Sequence, residues 1–225
     1  MSRARRSASQ GVSPLLVLGI VLLVAVLGLA GWGTWLYWGS SFAAQDAAAE
    51  AVAELEQRWA DEEPPADPET PTLVADPEPG RAQWLLRIPA LGESWQWPVS
   101  VGIDDESLGH GVGWYPGTSQ PGQVGNFAVA GRCITGAQPF RDLRRLQVGD
   151  EVLVEGVHQV FTYTINSAPA DLTVDEGEAW VLDPVPGRDD LDPTQALITL
   201  TTCEDLYPTP DRSVGFGVLT STETK

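Results

Sequence analysis

Basic side chains are scarce: 13 Lys and Arg stand against 31 Asp and Glu, for a formal charge of −18 at pH 7. A protein that grips nucleic acid neutralises phosphates with clustered cations, so that class is excluded. Metal-ligating residues are equally sparse. One tetrahedral zinc site would consume nearly all of the two cysteines and two histidines, and their separations fit no finger spacing. Neither a metal nor a cofactor is expected. The chain also lacks internal repeats, and its C-terminal two thirds lack any long amphipathic helix.

Charge is absent altogether between Arg6 and Asp46, and Leu15 to Trp38 is almost wholly apolar. At about 1.5 Å per residue this run crosses the roughly 30 Å hydrocarbon core with some tilt. It is too long for a cleaved signal core, and Ala43-Ala44 makes a weak cleavage site. Residues 15–38 therefore read as a transmembrane helix. Arg3, Arg5 and Arg6 precede it and acids follow, which predicts residues 1–14 in the cytoplasm and the remainder outside, as a single-pass protein of the cell membrane. Trp32, Trp35, Tyr37 and Trp38 gather at the outer end, where amphipathic rings favour the headgroups.

Residues 39–82 read as a stalk and linker. The stretch from Ala43 to Ala60 is rich in helix formers and can continue the membrane helix outward. From Asp61 onward repeated Pro, Asp and Glu give an extended, mobile acidic spacer. Residues 83–225 are one domain of ordinary size. Short apolar runs punctuated by Pro, Gly and Asp predict an all-β barrel or sandwich. Seven runs read as strands: WLLRIPAL, SWQWPVSVG, VGNFAVAG, GDEVLVEG, HQVFTYTINSAP, QALITLTTC and RSVGFGVLTST.

Cys203 ends the β-branched run LITLTTC and leads into the Pro-rich turn EDLYPTPDR, where a substrate can reach it; a buried structural cysteine is the plainer alternative. TLTTC, followed nine residues later by Arg212, resembles the signature of sortases, the cysteine transpeptidases that fix secreted proteins to the walls of Gram-positive bacteria. Gly-Val-Gly, Tyr-Pro-Gly-Thr, Pro-Gly, Gly-Asn-Phe-Ala and PFRDLRRLQVGDEV resemble further landmarks in the same order. The ending and single anchor look most like the class E type of actinobacteria, with class D close.

The resemblance implies an eight-stranded sortase barrel whose groove holds a sorting signal of the Leu-Pro-x-Thr-Gly or Leu-Ala-x-Thr-Gly kind. It implies Cys203 as nucleophile, Arg212 as the cation that positions substrate and steadies the oxyanion, and Thr201 and Thr202 as groove wall. The implied partners are sorting-signal-bearing secreted proteins and an amine of the peptidoglycan precursor. Some sortases use calcium, yet Asp104, Asp105, Asp189, Asp190 and Asp192 read as acidic loops.

The resemblance also exposes a departure. The family reads Ala-Gly-His-Arg where this chain has Ala130, Gly131, Arg132 and Cys133, so Arg132 occupies the catalytic histidine slot. An arginine can favour a nearby thiolate but holds its proton too tightly to act as an acid. Impaired transpeptidation is one expectation, and a degenerate sortase that binds signals or partner proteins without turnover is the other. His110 and His158 match no functional position of the family, and Trp114 reads as packing. Cys133 is expected to be a small apolar residue facing away from the groove, with a disulfide to Cys203 as the alternative.

Overall fold

Unbroken apolarity gives helix α1, Pro14–Thr34, whose described side chains are exposed all round. Its segment Pro14–Trp32 is long and apolar enough to cross a membrane, and such a surface suits lipid. The computed structural model describes residues 13–34, 40–63, 70–204 and 209–225. The arginines of the expected cytoplasmic end, and Trp35, Tyr37 and Trp38, lie outside the described residues. The chain divides into two units, Met1–Gly39 and Ser40–Lys225.

The second unit begins with helix α2, Ser40–Ala60, where the sequence predicts a helical stalk. The helix forms, but it does not stand free. Val52 and Leu55 are buried against Ala82 and Leu85 of the domain, with Trp59 packed beside them. Arg58 adds a bond from Nη2 to the Ala82 carbonyl at 2.5 Å. Two glutamines hold the described end of the spacer. Gln159 accepts from the Thr72 N–H and donates to the Thr70 carbonyl, and Gln120 does the same for both backbone groups of Val74, at 2.8 to 3.1 Å. Thr70, Thr72 and Val74 of the expected spacer are thereby held to the domain: the paired amide side chains satisfy backbone groups that an unpaired extended strand leaves open. Residues 64–69 lie outside the described residues.

The strands are β1 Ala82–Arg87, β2 Gln96–Val101, β3 Val112–Trp114, β4 Gly125–Gly131, β5 Glu151–Glu155, β6 Gln159–Ser167, β7 Thr173–Asp175, β8 Ala196–Cys203 and β9 Asp211–Thr224, with a short helix α3, Asp105–His110, between β2 and β3. Eight of them close a ring in the order β6-β5-β1-β2-β3-β4-β8-β9, and β9 returns to β6. The eight-stranded barrel is borne out. β7 hangs outside the ring on the start of β9. Closure depends on β9, which pairs with β8 through its first half and with β6 through its second. All neighbours are antiparallel except β2–β3 and β4–β8.

Period-two alternation fills the barrel. Trp84 and Leu86, Val99 and Val101, Phe127 and Val129, Phe161 and Tyr163, and Ile198 and Leu200 all point inward and are buried. Trp84 lies edge-on to both Trp114 and Phe127, at 5.3 and 5.6 Å between ring centres, the geometry that aromatic quadrupoles prefer. Tyr163 is wholly buried and accepts the Gly122 N–H at 2.8 Å, and burial pushes its phenol pKa far up.

The Gly111-Val112-Gly113 landmark has a steric cause. A Cβ on Gly111 would lie 2.6 Å from the Pro98 carbonyl, and one on Gly113 would lie 2.2 Å from the Gly102 carbonyl, both immovable backbone atoms. Only glycine lets three-residue β3 slide between β2 and β4. Gly113→Ala is expected to destabilise the barrel by at least about 2 kcal/mol, in the range of overpacked sites; equilibrium urea unfolding followed by tryptophan fluorescence measures it. A loss below about 0.5 kcal/mol would show that the backbone relaxes freely there.

Candidate active site

Two parallel strands carry the site. β4 runs beside β8, with Ala130 paired to Thr201, so both strands end at the same rim. β9 returns antiparallel, and its Arg212 is the direct cross-strand partner of Cys203. By alternation Thr199, Thr201 and Cys203 share the outer face of β8, whereas Ile198 and Leu200 enter the core. Residues Cys203, Arg132, Arg212, Tyr115, Thr201 and Ile103 line one open cavity of about 870 Å³. The sequence expectation of a shared groove for Cys203 and Arg212 agrees with this placement.

Hydrogen bonds stiffen the rim. Thr201 donates from Oγ1 to the Val129 carbonyl at 3.2 Å and shares a hydrogen bond with the Tyr115 hydroxyl at 3.1 Å. Thr202 donates to the Gly131 carbonyl at 2.9 Å, so its hydroxyl is spent on tying β8 to β4. Asn126, nearly wholly buried, accepts from Thr199 at 2.8 Å and donates to the carbonyls of Val181 and Asp183 at 3.1 Å. That amide fastens the long connection after β7 onto the outer face of β4 and β8.

Each cation of the cavity has an acidic partner. Arg212 pairs through Nη2 with Glu176 at 2.5 Å, and its Nη1 donates to the carbonyls of Thr209 and Asp211 at 2.8 and 3.0 Å. Arg132 pairs through Nη2 with Asp105 at 2.6 Å. Asp105 stands on α3, whose first turn is capped by Asp104. The Asp104 carboxylate accepts from the backbone N–H groups of Glu106 and Ser107 at 3.0 Å and from the Ser107 hydroxyl at 2.9 Å. Those bonds, first of all the Ser107 backbone N–H, hold its pKa below the usual carboxylate value. The cap contributes stability above the unfolded pKa, and that contribution is lost as pH falls through the lowered folded value. α3 thus stays capped throughout the neutral range.

Cys133 corrects the plainer expectation for that residue. It is buried, lies outside the lining of the Cys203 cavity, and is joined to Cys203 by a disulfide, with Cα atoms 5.8 Å apart. Parallel β4 and β8 bring the two together across 70 residues of sequence, a distance no local spacing reveals. The Cys133 N–H also donates to Cys203 Sγ at 3.2 Å. Cys203 in this form is not a free thiol.

The other residues singled out from sequence lie elsewhere. His110 ends α3 and borders a separate cleft beneath α2, and His158 sits in the turn before β6; neither lines the Cys203 cavity. Trp114 is buried packing, as expected. Asp190 pairs with Arg188, which holds its pKa down. Among the described residues no three His, Cys, Asp or Glu converge as metal ligands. Tyr115 and Glu176 were missed. Tyr115 belongs to the quoted Tyr-Pro-Gly-Thr landmark, whereas Glu176 follows a three-residue strand and carries no sequence signal.

A closed eight-stranded barrel with a cysteine and an arginine side by side at one rim, joined by cross-strand pairing, defines a class of cysteine-site barrels. The chain belongs to the sortase family: the sortase domain profile matches residues 86–220. Within the family it is class E-like. It is 29% identical to Sortase SrtE1 of Streptomyces coelicolor over 96% of its own length and 60% of that protein's length. The structure of sortase E from Streptomyces avermitilis superposes with a TM-score of 0.59 at 36% identity, covering 65% of this chain and 93% of that one. Sortase E1 from Streptomyces coelicolor, solved with a tripeptide in the active site, gives 0.58 at 30% identity over 65% and 92%.

Proposed function

We propose that the protein is a membrane-anchored sortase-type cysteine transpeptidase, slowed by Arg132 in the histidine slot, that acts on sorting signals of the Leu-Pro-x-Thr-Gly or Leu-Ala-x-Thr-Gly kind. The observation that carries the reading is the cross-strand pair of Cys203 and Arg212 in one open cavity of a sortase barrel. In the reduced protein the Cys203 thiolate attacks the threonine carbonyl of an extended peptide. Arg212 meets the oxyanion that develops, and its pinning by Glu176 and two carbonyls keeps the guanidinium oriented beforehand. Thr201 and Thr202 serve as wall. The peptide amine leaves with a proton taken from solvent, and an amine of a peptidoglycan precursor resolves the thioester, losing a proton to solvent as Cys203 departs as thiolate. A C-terminal domain outside the membrane, with the arginine-bearing N-terminus in the cytoplasm, puts the groove where those partners are.

A second reading is favoured by one observation. Arg132 is tied to Asp105, and a guanidinium holds its protons too tightly to give one up, so the groove can hold a peptide that it does not cleave. In that reading the protein is a degenerate sortase that captures sorting signals or partner proteins. The two separate in one experiment: full-length protein in detergent, reduced, is mixed with a fluorogenic sorting-signal peptide and hydroxylamine, beside Cys203→Ala. Slow cleavage that vanishes in Cys203→Ala is expected for the transpeptidase. Peptide binding by fluorescence anisotropy with no cleavage in either protein would establish the degenerate form.

A further inference from the structure

We propose that the Cys133–Cys203 disulfide is a reversible redox-modification site, opened by a dithiol reductant, and that it masks the nucleophile until opened. Its consequence for turnover rests on the transpeptidase reading above; the thiol chemistry itself does not.

Four observations carry it. The chain's two cysteines are spent on one bond, and one of them is the nucleophile of the groove. The strand ends it joins are already fastened without it, by the Ala130–Thr201 pairing and by the Thr202 bond to the Gly131 carbonyl at 2.9 Å. The bond opens onto the cavity of about 870 Å³ through half-buried Cys203, while Cys133 is only 8% exposed. Finally, Arg132 and Arg212 line that cavity, and the Cys133 N–H points at Cys203 Sγ at 3.2 Å. The aimed donor favours thiolate at Cys203, which eases that sulfur's departure from a disulfide, whereas each guanidinium is already paired with a carboxylate, Asp105 or Glu176.

Exposure fixes the order of events. The reductant's thiolate attacks Cys203 Sγ, the accessible sulfur. A new sulfur–sulfur bond forms as the old one breaks, and its electron pair leaves with Cys133, which takes up a proton. The reductant's second thiol then attacks its own sulfur in the mixed disulfide, and Cys203 departs as thiolate. Two electrons pass from the dithiol to the pair, and the reductant leaves as a disulfide. While Cys203 remains bonded to Cys133 it has no electron pair to offer a peptide carbonyl. Outside the membrane disulfides persist, so the oxidised form is the resting one and a dithiol carrier sets the active fraction.

The test uses full-length protein in detergent, with dithiothreitol as the reductant. Iodoacetamide labelling at each cysteine is read by mass spectrometry, and tryptophan fluorescence verifies that the fold is kept. Labelling of Cys203 is expected to rise at least about tenfold with reductant while the fluorescence stays native. Cys133→Ala should label at Cys203 without reductant, to the level of reduced wild type. Peptide cleavage, if the transpeptidase reading holds, should show the same dependence in wild type and none in Cys133→Ala. Cys203 labelling in untreated wild type would overturn the proposal by showing no disulfide. Labelling that needs denaturant as well as reductant would overturn it by showing a structural cross-link. Native, reductant-dependent labelling without any peptide cleavage would uphold the redox site and remove the transpeptidase reading alone.

Discussion

Arg132→His is expected to raise the rate of sorting-peptide cleavage by reduced protein at least about tenfold, conservatively below the usual return of a positioned general acid. The difficult step is expulsion of an amine, which cannot leave without a proton. In the present chain the residue in that slot holds its proton through the accessible pH range. An imidazole titrates near neutrality and can protonate the amine, then deprotonate the incoming nucleophile. The substitution also releases Asp105 from its 2.6 Å pair with the guanidinium, on a helix otherwise secured by the Asp104 cap. A bell-shaped pH profile appearing only in the variant would identify imidazole as the new acid. The comparison is a direct rate measurement at equal enzyme concentration with reductant present. A wild-type rate equal to or above the variant's, lost in Cys203→Ala, would mean that the groove already has a proton donor. Tyr115, whose hydroxyl reaches Thr201 at 3.1 Å in the same cavity, is then the residue to replace.

Much of this arrangement is legible in the sequence, because its parts are local. Cys203 ends a β-branched strand and Arg212 starts the next. A strand, a turn and a strand separated by nine residues bring both to the same rim whatever the rest of the barrel does. The strands rich in alternating apolar residues were equally legible. The run WLLRIPAL outlasts its strand, which ends at Arg87, since Pro89 has no N–H for the ladder and the chain gives way to a 3-10 turn at Pro89–Leu91. Strands β3 and β7, three residues each, are too short for any period to register. What sequence left open was set by long-range pairing. Cys133 meets Cys203 only because β4 and β8 run parallel, and Glu176 reaches Arg212 only because β7 docks on β9. The stalk misled for another reason: Val52 and Leu55 lie one helical turn apart and need a partner, which alanine-rich composition conceals.

Arg212→Ala is expected to lower kcat/KM for the sorting peptide by about 100- to 1,000-fold, the loss that follows removal of one donor to a developing oxyanion. Its geometry argues for a large effect. Cys203 and Arg212 are direct neighbours across an antiparallel pair, so in the proposed reaction the guanidinium and the attacking sulfur would approach one carbonyl from adjacent strands. Glu176 and the carbonyls of Thr209 and Asp211 hold the guanidinium in advance, so little reorganisation is needed as charge develops. Arg212→Lys keeps the charge but loses the planar fork, and with it the simultaneous grip on two carbonyls and a carboxylate. It should recover no more than about tenfold of the loss, a lysine ammonium being a point charge on a flexible stem. Glu176→Gln tests the pinning separately: the guanidinium stays, but its orientation loosens, so kcat should fall while peptide affinity changes little. Iodoacetamide labelling of reduced Cys203 serves as the control for an intact rim in all three variants. A loss under about threefold in Arg212→Ala, with labelling unchanged, would show that the oxyanion is met by another donor. The Cys133 N–H, already aimed at Cys203 Sγ at 3.2 Å, is the group placed to do it.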